Sequence, residues 1–249
     1  MTTLVLALGW RPTWIGRALL VAVVVAATGA FLALGALAID VCGLPALAVQ
    51  AVSWAIWLLW LGAVFPRSRA RVHARLADLP YRRAFISEIL PGIGCSFAQL
   101  ARPAFEGLSR GRPFADGLTL SVGLLVALAG VTLIVLGASA LGVARTLFVH
   151  EYLPVGDERD AITRAGIYSY IRHPLFVGGI ACSVGLALCV GTPQALVLAA
   201  LNLCSLPAYV IFEDLRCSRV IGPSYVQYRD AVGAVVPRVW RLTRGRVVD

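Results

Sequence analysis

The stretch "GIYSYIRHPLFVGG", residues 166–179, sets Arg172, His173 and Pro174 side by side at the mouth of an apolar run. Pro is well placed at the first position of a helix, where its missing N–H costs nothing. A helix opening at Pro174 presents unpaired N–H groups and the positive end of its dipole directly behind Arg172 and His173. An anion, a carboxylate above all, is stabilised at such a place. The alternative is that Arg172 merely flanks a membrane span and that Gly178, Gly179 and Gly185 are helix-packing glycines. Further on, Glu213 and Asp214 stand where the last apolar run ends. Acids at a helix C-terminus oppose the dipole, so a bound cation or an arginine from a neighbouring loop would explain them. Asp214 reads more simply as a solvated helix end. In "GPSYVQYRDAV", residues 222–232, Tyr225 and Tyr228 are three apart and share a face if the stretch is helical. Interfacial tyrosine is the plainer reading of that pair.

The elements that must hold these residues are membrane spans. The chain is 59% hydrophobic and 14% charged, and its mean hydropathy is +0.82, far from a soluble domain. Lipid offers backbone groups no partner, so a polytopic α-helical protein is expected. A span needs about 20 apolar residues. Residues 18–39, 44–65, 118–143, 174–191 and 194–212 supply five, with Trp54, Trp57 and Trp60 read as interface anchors. Gly191-Thr192-Pro193 makes the last two an antiparallel hairpin. Segment 84–105 carries Glu88, Pro91 and Gln99 and is ambiguous by hydropathy, but charge parity asks for a crossing there. The Arg-rich loop 66–83 and the Arg-rich tail then fall on one side. The expectation is an all-α, polytopic integral membrane helical protein with about six transmembrane helices, a cytoplasmic-side pocket, and both termini cytoplasmic in the cell membrane. Residues 1–116 form an N-terminal transmembrane region and 117–249 a catalytic membrane core.

All 22 basic residues are arginine and the net charge is +9. Because the arginines flank apolar spans, no nucleic-acid partner is expected. The six cysteines lack ligand spacing and read as small buried hydrophobes rather than disulfides or a metal site. The first apolar run exceeds a signal-peptide core and is read as a retained span. His73 and His150 have no partner at metal spacing, and there is no Gly-rich phosphate loop.

The order "LGVARTLF", a polar loop, "GIYSYIRHPLFVGG", a helical hairpin, "FED" and "GPSYVQYR" resembles the isoprenylcysteine carboxyl methyltransferase family and its bacterial relatives, including the phospholipid and methanethiol methyltransferases. The likeness covers roughly residues 120–240. It implies an integral-membrane fold with S-adenosylmethionine as cofactor and an acceptor that enters from the bilayer. It also implies that Asp160, Ala161, Ile162 and Thr163 lie along the cofactor, that Tyr168, His173, Pro174, Leu175 and Phe176 contact it, and that Glu213 is the cofactor-binding acid. Arg172 and the helix start suit the cofactor's carboxylate, Glu213 its ammonium, and tyrosine faces its adenine or sulfonium. The prenylcysteine enzymes carry an arginine four residues before the acid for the substrate carboxylate. Tyr209 stands there in this chain, and a phenol does not neutralise a carboxylate. Tyr209 and Tyr228 are candidate substrate-binding residues.

The resulting expectation is an S-adenosylmethionine-dependent methyltransferase acting on a small thiol or a hydrophobic, lipid-like acceptor, with membrane lipids as its surroundings. Prenylcysteine carboxyl methylation proper is an alternative. No residue is assigned as catalytic: a thiolate or carboxylate acceptor needs no strong base, and His173 suits shaping the pocket better than base catalysis. A second alternative is an NADPH-dependent sterol-type membrane reductase, whose members share the Arg-His-Pro helix start but follow it with Asn-Tyr. A third is a non-enzymatic membrane protein that keeps the fold.

Overall fold

The computed structural model describes residues 8, 13–64, 80–109, 115–149 and 162–238. Asp160, Ala161, His73, His150, the arginines of loop 66–79 and the tail beyond 238 lie outside the described residues. Helix α1 is Trp14–Asp40, capped by Thr13, whose side chain accepts from the Gly16 N–H. Helix α2, Ala46–Leu59, continues into a π-helical turn, Trp60–Val64. Helix α3 comprises Pro80–Ala84, a π-helical turn Phe85–Ile89, and Leu90–Ser109. That wide turn directly precedes Pro91, which has no N–H to continue the ladder. Helix α4 is Gly117–Leu141. After a 3₁₀ turn, Gly166–Ser169, come α5 (Pro174–Val190), α6 (Pro193–Ile221) and α7 (Pro223–Ala231).

The protein is an all-α polytopic membrane protein. Among the described residues, five helical stretches are long and apolar enough to cross a bilayer: Trp14–Asp40, Ala46–Ala63, Tyr81–Gly107, Gly117–Leu141 and Pro193–Ile221. The ambiguous segment 84–105 therefore lies within a continuous helix, not a re-entrant loop. Helix α5 is shorter, 17 residues, or about 25 Å at 1.5 Å per residue. It sits inside the bundle with most of its side chains buried, so its length need not match the lipid thickness. On α1 and α4, by contrast, Val25, Leu34, Leu125 and Leu128 face outward. A surface that apolar is soluble only in lipid tails.

The contact between α4 and α5 is close because glycines line it. Gly123, Gly130 and Gly137 are spaced by seven on α4 and buried. A Cβ at Gly130 would lie 2.6 Å from both the Cys182 nitrogen and the Gly178 oxygen, and one at Gly178 would lie 2.7 Å from the Gly130 oxygen. Gly178 and Gly185 are thus helix-packing glycines. Since the obstructing atoms are backbone, Gly130→Val is expected to cost about 1–3 kcal/mol or more by overpacking. A thermal unfolding curve in detergent that matched wild type would contradict this contact.

At the bundle centre four helices share one polar junction. Asn202 of α6 accepts from Trp54 Nε1 at 2.8 Å and from Gln50 Nε2 at 2.5 Å. Its own amide donates to the Gln99 carbonyl at 3.0 Å and to Ser183 Oγ at 2.8 Å. Such bonds fix register where lipid and helix are equally apolar. Trp54 and Trp57 are buried, 3% and 6% exposed. This corrects the reading of both as interface anchors: their rings point into the bundle, where Asn202 and an aromatic cluster receive them.

Candidate cofactor site at the start of the fifth helix

Residues near the start of α1 and α3 pack with those following α4: Leu20, Tyr81, Phe85 and Val149 form one buried cluster. The start of α5 and the end of α6 lie at this same end. Helix α6 runs nine residues beyond the apolar stretch 194–212, and this extension carries Glu213, Asp214 and Arg216.

Asp214 is the hub. Its Oδ2 accepts from Arg172 Nη2 at 2.7 Å, and its Oδ1 meets Arg172 Nε at 3.4 Å, His173 Nε2 at 3.0 Å and the Tyr225 hydroxyl at 2.5 Å. Asp214 is 9% exposed. The expectation of a solvated helix end is therefore wrong: the acid is retained because Arg172 neutralises it inside the protein. Arg172 is fully engaged as well. Its Nη1 donates to the Arg229 carbonyl at 2.8 Å and to the Val232 carbonyl. The backbone N–H groups of Arg172 and His173 donate to Gly233 and Ala234 at 2.9 and 3.2 Å. The segment after α7 is thus stitched to the residues that open α5. Tyr225 and Tyr228 are buried on one face of α7, their rings edge to face at 5.9 Å, which corrects the interfacial reading. Burial, the Cys217 side chain and the Asp214 carboxylate push the Tyr225 phenol far above its ordinary range. It remains a proton donor to Asp214 at any physiological pH.

Glu213 faces a second direction. Arg216 grips it bidentately, Nε to Oε2 at 2.8 Å and Nη2 to Oε1 at 2.5 Å, with Cys217 Sγ 3.7 Å from Oε1. The guanidinium lies over the Phe148 ring, 5.0 Å from its centroid. Phe148 itself holds φ +60, a left-handed backbone that a phenylalanine adopts only under constraint. Burial, then the charge of Glu213, raise the phenol of Tyr168.

Between the two acids and the bundle centre stands an aromatic cluster. Tyr209 stacks on Phe176 at 3.6 Å and on Trp57 at 5.3 Å, and meets the His173 ring edge-on at 5.7 Å. Trp54 closes the far side against Phe176 at 5.8 Å.

Of the residues singled out from the sequence, Tyr168, Arg172, His173, Phe176, Tyr209, Glu213 and Tyr228 come together. The Tyr228 hydroxyl donates to the Tyr168 carbonyl at 2.7 Å. Leu175 and Pro174 instead turn toward Gly137 of α4. Thr163 takes a hydrogen bond from Arg145 at 3.1 Å, and Ile162 is half-buried beside it. Sequence reasoning missed Arg216, Phe148 and Trp57 as neighbours of the site. The i, i+3 spacing of Glu213 and Arg216 was a usable signal.

The phospholipid methyltransferase family model matches residues 118–220. This segment is a phospholipid methyltransferase family domain. The domain falls within the isoprenylcysteine carboxyl methyltransferase-like family. It contains α5, all but the first residue of α4 and all but the last residue of α6, and hence His173, Tyr209, Glu213 and Arg216. The chain is accordingly a multi-pass membrane protein with a methyltransferase domain. Comparison with the curated proteins and with the solved structures gives no match.

Proposed function

We propose that the protein is an S-adenosylmethionine-dependent methyltransferase of the cell membrane, acting on a small thiol or a hydrophobic, lipid-like acceptor. The cofactor pocket lies at the cytoplasmic end, and residues 117–249 form its catalytic core. One observation carries this reading. Within a methyltransferase family domain, the opening of α5 and the end of α6 bring an imidazole, a carboxylate–guanidinium pair and a set of aromatic faces to one place.

The residues fit the cofactor. Glu213 suits an ammonium, and the Tyr168, Tyr209 and Phe176 rings suit adenine or a sulfonium, where cation–π attraction contributes about 0.5–2 kcal/mol. His173 adds no side-chain cap to α5, leaving the helix opening able to face a polar group. Arg172 serves by holding Asp214 and the segment after α7, and so fixes His173. When bound, S-adenosylmethionine supplies an electrophilic methyl group on a sulfonium. The protein's part is to hold donor and acceptor in line and to exclude water, a positioning effect of several kcal/mol. Tyr209, in place of an arginine, disfavours a prenylcysteine carboxylate as acceptor.

The test is incubation of the purified protein with methyl-labelled S-adenosylmethionine and a cell extract of lipids and thiols. Label in a thiol or lipid fraction is expected. Label in neither, from protein shown to be folded, overturns the proposal.

A further inference from the structure

We propose that the end of the bundle carrying the candidate cofactor site is a docking surface for anionic phospholipids. Their phosphates are held by Arg82 and Arg83 at the start of α3 and by Arg219 near the end of α6. This surface is independent of which cofactor or acceptor the protein takes.

The start of α3 is fixed from one side. Tyr81, Ala84 and Phe85 are buried in a cluster with Leu20 of α1 and Val149, and Arg82 and Arg83 are left exposed. Ile86, four residues after Arg82, is 56% exposed, and Phe97 further along the helix is 49% exposed. Helix α6 repeats the pattern. Ile211 and Leu215 are 58% and 46% exposed, and Arg219, four residues on, is exposed as well. The two places lie at the same end, because Phe148 packs on the α3 cluster and also lies under the Arg216 guanidinium. On both helices the outward side chains change from apolar to arginine in the order in which a bilayer changes from tails to headgroups. Trp14, 77% exposed at the start of α1, is the aromatic expected at that level.

Charge then selects the lipid. Among the described residues, none of these three arginines has a carboxylate partner. Asp214, Glu213 and Asp230 at this end are held by Arg172, Arg216 and Arg229, and Glu88 of α3 buries its Oε2. A guanidinium meets a phosphate through two parallel N–H···O bonds. A zwitterionic headgroup brings its own cation to that contact, whereas an anionic one brings net charge that unpaired arginines attract. An acidic protein would answer the charge but leave Ile86, Ile211 and Leu215 uncovered. A phospholipid covers both with one molecule.

The experiment is native mass spectrometry of the full chain in detergent, titrated with phosphatidylglycerol or with phosphatidylcholine of the same acyl chains. Wild type is expected to bind phosphatidylglycerol about fivefold or more tightly than phosphatidylcholine, the weight of one basic residue at an anionic surface. The triple variant Arg82→Gln, Arg83→Gln, Arg219→Gln should bring that ratio to within about twofold, because all three guanidinium contacts are gone. Arg229→Gln removes an equal charge from an arginine already paired with Asp230 and should leave the ratio as in wild type. A triple variant that keeps the wild-type ratio overturns the proposal. So does an Arg229→Gln ratio that falls as far as the triple variant's, since overall charge and not these positions would then set the preference. Equal affinity of wild type for the two lipids overturns it as well, even if the triple variant does not fold.

Discussion

Asp214→Ala is expected to cost about 3–5 kcal/mol, the range for removing one partner of a buried ion pair. Against a total stability of about 5–15 kcal/mol, that change removes a large share of what holds the protein folded. The reason lies in what Asp214 connects. It is met by Arg172, His173 and Tyr225, so its loss leaves a buried guanidinium, a phenol and an imidazole short of their acceptor. Asp214→Asn keeps an oxygen for Tyr225 and should fall between the two. The exposed pair Arg229–Asp230, 3.3 Å apart with side chains 39% and 66% exposed, is the control: Asp230→Ala should change stability by about 0–1 kcal/mol. Thermal unfolding in detergent reads all three. An Asp214→Ala curve close to that of Asp230→Ala would mean that the hub does not hold this end of the bundle.

Glu213→Gln is expected to act on ligand affinity more than on the fold. The substitution preserves shape and one oxygen while removing the charge that an ammonium requires. Loss of a charge-assisted bond predicts roughly a 10- to 100-fold weaker affinity for S-adenosylmethionine. Stability should fall less than for Asp214→Ala, because Arg216 keeps the Phe148 ring and an amide oxygen. The same isotherm and melting curve on both variants separate the two neighbouring acids. Equal ligand affinity in wild type and Glu213→Gln contradicts the role given to this carboxylate.

Much of this was legible in the sequence, for definite reasons. Apolar runs of the right length fix the spans, and Pro174 and Pro193 fix where two helices begin. Gly191-Thr192 makes the hairpin, and Thr192 caps the second helix by accepting from the Ala195 N–H at 3.2 Å. What escaped was direction. Hydropathy says that Trp54 and Trp57 lie in a span but not which way they face, and Asn202, which turns Trp54 inward, is 148 residues away. Asp214 looked solvated because the apolar run stops before it, yet the helix continues and Arg172 returns from 42 residues earlier to neutralise it. The same continuation placed Arg216 beside Glu213, a pairing that local spacing suggested and only the fold confirmed as buried.

Hydrogen–deuterium exchange on the purified protein, with and without saturating S-adenosylmethionine, reads the central arrangement most directly. The opening of α5 and the extension of α6 should gain protection together, in peptides covering 166–176 and 209–217, at the same ligand concentration. Protection confined to one of these segments, or to neither, would contradict a shared site built from both.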